Sequence, residues 1–199
     1  MKNTFKFLGL AVIALVMSFT TFHEKKIVVI DAGHGGKDHG ATFEDHTEKT
    51  IADAISKKIL ALNNTGNVKI VLLRNSDEFK TLEERLDAIN NLNPDLVISL
   101  HVNQNPNTTV KGIEAFVSED NIKYDISKAF ATELLESLSE ERLENRGVKN
   151  APFMILRKSN SPAITLELGF LSNEEDRHYI TSEDGQDEIA SRIYKYVSK

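Results

Sequence analysis

From Lys26 onward, short apolar runs of strand length alternate with longer amphipathic stretches, and no other feature restricts the chain so far. Ile27-Val28-Val29-Ile30 is β-branched without a polar break, the pattern of a strand buried on both faces. Val68 to Leu73, Leu96 to Leu100, Gly112 to Val117, Phe153 to Leu156 and Ala163 to Leu168 read as further strands. Between them, Thr47 to Leu62 carries Ile51, Ala54, Ile55, Ile59 and Leu62 at helical spacing, and Asn63-Asn64-Thr65-Gly66 stops it. Thr81-Leu82-Glu83-Glu84 has the pattern of a capping box opening a helix towards Asn91. Tyr124 to Glu144 predicts a long helix, and Glu174 to Ile180 and Gly185 to Val197 predict two more. Strand-helix-strand order predicts a single α/β domain, a sandwich around a mostly parallel sheet.

Composition narrows the functions. With 199 residues, 40% hydrophobic and 27% charged, the chain suits one globular domain rather than a disordered tail. A formal net charge of −6 and no Lys/Arg run make nucleic acid an unexpected partner. There are no cysteines, so disulfides, a thiol nucleophile and a Cys-zinc site are excluded; any metal must sit on His, Asp or Glu. At the amino end, basic Met1 to Lys6 precede an uncharged apolar run, Phe7 to Phe19, and a polar stretch from Thr20 to Lys26. That order predicts a secretory signal peptide over residues 1–22, with an uncleaved anchor as the alternative. The run is shorter than the roughly 20 residues of a membrane span, so no stable span is expected after processing.

His34 lies in Asp31-Ala32-Gly33-His34-Gly35-Gly36, immediately after the first buried strand. In open α/β sheets that carboxyl edge binds ligands, and the glycines let the backbone turn and a ligand approach. A phosphate loop is the rival, but the spacing is not G-x-G-x-x-G and no Gly-Lys-Ser/Thr follows. His101 ends the run Leu96 to Leu100, so a second strand delivers a second imidazole to an edge that parallel strands share. Alone it would read as a hydrogen-bonded core residue; two imidazoles together favour a metal. Glu48 falls in the first turn of the following helix, where the dipole favours an anion, as ligand or as cap. Glu167 interrupts the apolar run Ala163 to Phe170, and a carboxylate there is costly to bury unless it is partnered or deliberately perturbed. Either a buried Arg85 or Arg74 pairs with it, or a raised pKa near a metal suits it to general acid/base work. Two His, one carboxylate and a water form the usual set of a hydrolytic zinc site, although no H-E-x-x-H helix is present. His39 and His46 are candidates for support behind the ligands, His178 reads as solvated, and His23 lies in the export segment.

Several stretches in order carry a more specific signal. They are Ile30 to Gly36, Glu48-Lys49, Ser99-Leu100-His101-Val102-Asn103, and Arg146-Gly147-Val148-Lys149-Asn150-Ala151. Leu156-Arg157, Pro162-Ala163 and Leu166 to Asn173 complete them. In these the chain, from residue 26 to 199, resembles the zinc-dependent N-acetylmuramoyl-L-alanine amidases, which detach stem peptides from peptidoglycan glycan strands. Two positions depart from the family pattern: Ala32 replaces a frequent proline, and Asp45-His46-Thr47 stands where a glycine often precedes the ligand glutamate. The resemblance implies one zinc per chain on His34, Glu48 and His101, with Glu167 as catalytic glutamate. It also implies one α/β domain with a mixed, roughly six-stranded sheet. Asn103 and Arg157, in the same motifs, are expected to contact substrate.

The expected function is therefore exported, zinc-dependent hydrolysis of the N-acetylmuramic acid–L-alanine amide in the periplasm or cell-wall space. A zinc carboxypeptidase acting on wall peptides is one alternative, with Arg157 and Lys158 as candidate clamps for a terminal carboxylate. A non-catalytic peptidoglycan-binding regulator is another, although such a copy would be expected to lose a ligand or Glu167. A divisome or wall-binding partner is not identifiable from the sequence. Ser118 to Asp125 is only a short polar connection, and the helix after it places Ile126, Phe130, Leu134, Leu135 and Leu138 at core-packing intervals. That leaves no segment for a lid, so the groove is expected to be open and the enzyme active without a partner.

Overall fold

The structure is a computed structural model that describes residues 25–64, 66, 68–139 and 142–199. The expected signal peptide and His23 lie outside these residues. Strand β1 (Lys26–Ala32) leads through a loop and the short β2 (Thr42–Phe43) and β3 (His46–Thr47) into helix α1 (Glu48–Leu62). Then come β4 (Val68–Leu72), α2 (Leu82–Leu92), β5 (Leu96–Asn103), β6 (Ile113–Val117) and α3 (Tyr124–Leu138). The chain ends with β7 (Asn145–Asn150), α4 (Met154–Lys158), β8 (Ala163–Phe170), α5 (Glu174–Thr181) and α6 (Glu183–Val197).

The six long strands form one sheet in the order β4-β1-β5-β8-β6-β7. β4, β1, β5 and β8 run parallel, β6 is antiparallel to β8, and β7 is parallel to β6. The sheet is thus mixed and mostly parallel, as the alternation and the resemblance lead one to expect. Val28, Val29 and Ile30 are fully buried because helices cover both faces. The larger core packs α1, α3, α5 and α6 against one face. A smaller one, with Val29, Ile89, Val97, Ile155 and Leu156, lies under α2 and α4 on the other. β1 connects to β4 on one side and its other neighbour is β5, so the strand order reverses between β1 and β5. The carboxyl ends there form the crevice where ligands bind in such sheets.

The Thr81 capping box is present: the Thr81 hydroxyl accepts from Glu84 N at 3.1 Å and the Glu84 carboxylate accepts from Thr81 N at 2.8 Å. Three local expectations change. Phe153 to Leu156 is not a strand but the opening of α4, with Ile155 and Leu156 inward and Arg157 exposed; an apolar run this short does not distinguish one helical turn from a strand. Asn145–Asn150 is a strand that polarity concealed, because it sits at the sheet edge and is only partly buried. Helix α3 stops at Leu138 rather than Glu144, and Ile126 is 46% exposed. Ser127 faces the sheet in its place, its hydroxyl accepting from Ala163 N at 3.1 Å.

Candidate active site

Three sequence-predicted residues converge on the crevice. His34 follows β1, Glu48 opens α1 and His101 ends the buried part of β5. One nitrogen of each imidazole and a carboxylate oxygen of Glu48 all lie within 4.8 Å of one another. Glu48 Oε1 is 3.1 Å from His34 Nε2 and 2.8 Å from His101 Nδ1. Its carboxylate is fixed from behind, Oε1 by Val102 N at 3.0 Å and Oε2 by Ala41 N at 2.7 Å. His34 Nδ1 meets Asp38 Oδ2 at 2.8 Å, a carboxylate partner that orients the ring and sets which nitrogen faces Glu48.

The backbone is shaped for these side chains. His34 itself has φ 59, a left-handed conformation uncommon for a residue with a Cβ. It is held there by two buried guanidiniums. Arg85 donates to Ala32 O at 2.9 Å, to His34 O and to the Asp31 carboxylate, and Arg74 donates to Ala32 O at 3.1 Å and to Lys49 O at 3.0 Å. Asp31 also accepts from Ser99 Oγ at 2.8 Å, which ties β1 to β5 beneath the site. Gly40, at φ +65, leaves room for Glu48: a Cβ there would lie 2.4 Å from its Oε2.

Glu167 stands directly opposite His101 in the β5–β8 register and opposite Glu114 in the β8–β6 register. Neither arginine pairs with it. Arg74 is bound to Asp53 and Arg85 to Asp31 instead. Glu167 Oε2 is buried without a hydrogen-bond partner among the described residues. Burial pushes the Glu167 carboxyl up to about 7, with the neighbouring imidazoles opposing and Glu48 and Glu114 assisting. Burial alone would also raise Glu48, but the hydrogen bonds from His101 and His34 hold it well below the usual carboxylate range. Burial would lower His34, but Glu48 and Asp38 outweigh it and raise the imidazole to about 9. His101 is raised in the same way, chiefly by its bond to Glu48. The centre of the three therefore strongly favours positive charge. Two imidazole nitrogens and one carboxylate oxygen, with His34 and Glu48 oriented from behind, suit zinc, and the acid on the adjoining strand, unpartnered at Oε2 among the described residues, suits a proton carrier beside it.

Two clefts flank His101 on the α2–α4 face. One, of about 230 Å³, is lined by Ser99, Thr165, Glu167, Leu82 and Phe153; the other, of about 300 Å³, by Asp31, His34, Phe79, Leu82 and Arg85. Asn103 lies at the end of β5 and donates to Glu114 Oε1 at 2.9 Å. Arg157 is exposed on α4 and lines neither cleft. His39 and His178 are exposed, and the group behind His34 is Asp38 rather than His39 or His46. Asp38 is the supporting residue that sequence reasoning missed, and Arg74 and Arg85, expected as partners for Glu167, instead clamp the backbone around His34. The available signal was positional: Arg74 follows the β4 run at the same sheet edge as His34.

The chain is similar to known proteins in sequence and in fold. The profile of the N-acetylmuramoyl-L-alanine amidase family matches residues 28–199. An uncharacterised Bacillus subtilis protein is 34% identical over 171 residues, covering 85% of this chain and 82% of that one. The sporulation-specific N-acetylmuramoyl-L-alanine amidase of Bacillus subtilis is 33% identical, over 75% of this chain; the match spans only 58% of that protein's length. The crystal structure of an N-acetylmuramoyl-L-alanine amidase from Clostridium difficile 630 superposes with a TM-score of 0.81 and 31% identity, covering 87% of this chain and 95% of that one. The catalytic domain of CwlV from Bacillus (Paenibacillus) polymyxa gives 0.79 and 31%, covering 86% and 96%. Fold and edge site put the chain in the class of α/β amidases. It belongs to the N-acetylmuramoyl-L-alanine amidase family.

Proposed function

We propose that this protein is a zinc-dependent hydrolase of the amide between N-acetylmuramic acid and L-alanine, acting on peptidoglycan outside the cytoplasm. The observation that carries the reading is the pairing of Glu167, with its unpartnered Oε2, opposite His101 and beside the His34–Glu48–His101 triangle. His34, Glu48 and His101 would hold zinc, which when bound supplies a Lewis acid for the carbonyl and lowers the pKa of a coordinated water to roughly 7. Glu167 receives the proton of the attacking water at its carboxylate. It then delivers that proton to the alanine nitrogen as the carbon–nitrogen bond breaks, ending ready for the next cycle. Its buried setting raises its affinity for that proton. Asp38 and the Ala41 and Val102 amides keep His34 and Glu48 in place through the cycle. Residues 1–22 are proposed to direct export, and among the described residues no helix is long and apolar enough to cross a membrane.

Digestion of purified peptidoglycan by the zinc-loaded protein, followed by mass spectrometry, tests the reaction. Intact glycan plus stem peptides beginning with L-alanine is the expected product pair. Loss of single terminal amino acids would instead establish a carboxypeptidase, and bound but uncut peptidoglycan a binding module. An export reporter fused behind residues 1–24 is expected to leave the cytoplasm; retention there would overturn the export reading.

A further inference from the structure

Glu114 is 4% exposed, yet it is fully engaged, and not by the catalytic machinery. Its Oε1 accepts from Asn103 Nδ2, and its Oε2 accepts from Arg146 Nε at 2.9 Å and from Lys149 Nζ. One buried carboxylate thus holds two cations, whose side chains are themselves 29% and 40% exposed. Arg146 makes one further bond, from Nη1 to Lys111 O at 3.1 Å. The trio carries a formal surplus of one positive charge at an accessible position. A guanidinium and an ammonium fixed side by side suit a carboxylate, by paired charge-assisted hydrogen bonds.

The trio adjoins the reactive end of the sheet. Glu114 is opposite Glu167 on the neighbouring strand, and Lys149 lies 5.9 Å above the Phe116 ring. Phe116 packs 5.4 Å from Phe153, and Phe153 lines the cleft that contains His101 and Glu167. Adjacent strands are about 4.8 Å apart, so cations carried by β7 sit roughly two strand spacings from β8. An extended peptide covers that in two to three residues, at about 3.3–3.6 Å each.

We propose that Arg146 and Lys149, held on buried Glu114, form a subsite that binds a carboxylate of the substrate peptide about two residues beyond the scissile amide. The inference rests on the amidase reading and adds to it the part of the substrate that is recognised. Glu114 acts here as a positioning residue: it fixes the two cations and leaves their remaining donors to the ligand.

The test uses two synthetic N-acetylmuramoyl-L-alanyl-D-glutamyl peptides, extended through the side-chain carboxyl and blocked at the carboxyl terminus. One keeps the free α-carboxylate of the second residue; the other carries its carboxamide. Wild-type protein is expected to prefer the carboxylate, and Lys149→Met to lose about 10–100-fold in kcat/KM on it, mainly through KM, while the carboxamide is cut as before. Lys149→Arg restores the preference. Equal losses on both peptides, or no preference in the wild type, would overturn the proposal. Binding to the Glu167→Gln protein is measured in parallel by calorimetry, so the subsite is judged without turnover. Carboxylate preference in binding that disappears with Lys149→Met supports the subsite even if neither peptide is cut, a result that would count against the amidase reading alone. Equal binding of both peptides overturns the subsite whatever the turnover.

Discussion

The His101 ring lies over the α-carbon of Gly33, so close that a Cβ on residue 33 would stand 2.6 Å from its Cε1 and 2.8 Å from its Nδ1. Gly33 is not in the left-handed region, so its backbone does not require glycine; the imidazole does. Gly33→Ala is therefore expected to fold normally and to push the ring away from Glu48. Zinc affinity should fall about 10–100-fold, the scale of losses when a ligand's support is removed. Calorimetric titration with zinc checks this, and unchanged affinity would show that the ring has another place to sit.

Removing a ligand should do more than displacing one. His34→Ala, Glu48→Ala and His101→Ala are each expected to abolish stoichiometric zinc after dialysis against chelator, because three donors leave no spare. Asp38→Ala should retain zinc but bind it about 10–100-fold more weakly, since His34 loses the carboxylate that orients it. Zinc analysis of the four dialysed proteins separates the two outcomes. Full retention in all three alanine variants would remove these residues as the metal site.

Glu167→Gln changes one oxygen for an amide and keeps the volume, and Glu167 has no ion pair to lose among the described residues. The variant is expected to keep its fold and zinc and to lose about 10²–10⁴-fold in turnover on peptidoglycan. Near-normal turnover would return Glu167 to a structural role.

Much of this was legible before any coordinates. Val28 to Ile30 and Leu96 to Leu100 announced buried parallel strands by continuous apolarity, and His34 and His101 followed them to the carboxyl edge that such strands share. Glu167 was conspicuous as a charge inside an apolar run. What stayed hidden depends on loop geometry, on contacts distant in sequence or on polar edges. Asp38 gains meaning only once the loop folds back on His34. Arg74 and Arg85 are 41 and 51 residues from the backbone they clamp. The strand Asn145–Asn150 shows no apolar alternation because neither of its faces is fully buried at the sheet edge. Ile155 and Leu156 look the same in a short strand and in one helical turn, and packing against α2 decides between them.

Asp176 gives a prediction about pH. Its Oδ2 accepts from Gly112 N and Phe170 N, both at 2.8 Å, tying the loop before β6 to the end of β8. Burial raises its pKa above the usual aspartate value, with these two amide bonds opposing. A carboxyl raised in the fold ionises more readily when unfolded, so its contribution is most favourable below the unfolded pKa. It weakens as pH rises through the folded pKa. Asp176→Asn keeps an acceptor oxygen and removes the ionisation. The wild type is expected to lose stability relative to this variant between acid and neutral pH, and denaturant titrations at pH 3.5 and 7 check the direction. Asp176→Ala leaves two buried amides unpaired and should cost about 2–4 kcal/mol at either pH.

Control of access is the final prediction. Strand β6 ends at Val117 and α3 begins at Tyr124, so the connection between them is six residues in two successive tight turns. Asn121 fastens this connection, its backbone N–H donating to Ser118 O at 3.1 Å and its side-chain amide to Leu156 O and Ser159 O. The apolar face of α3, with Ala131, Leu134, Leu135 and Leu138, is used against the sheet. Nothing in this stretch reaches across the two clefts beside His101, which are open on the α2–α4 face. The zinc-loaded protein is therefore expected to release stem peptides from purified peptidoglycan on its own, at a rate that cell extract changes less than about threefold. A protein silent alone and active only with extract would show that access is set by a partner, because the described residues of this stretch leave the site uncovered.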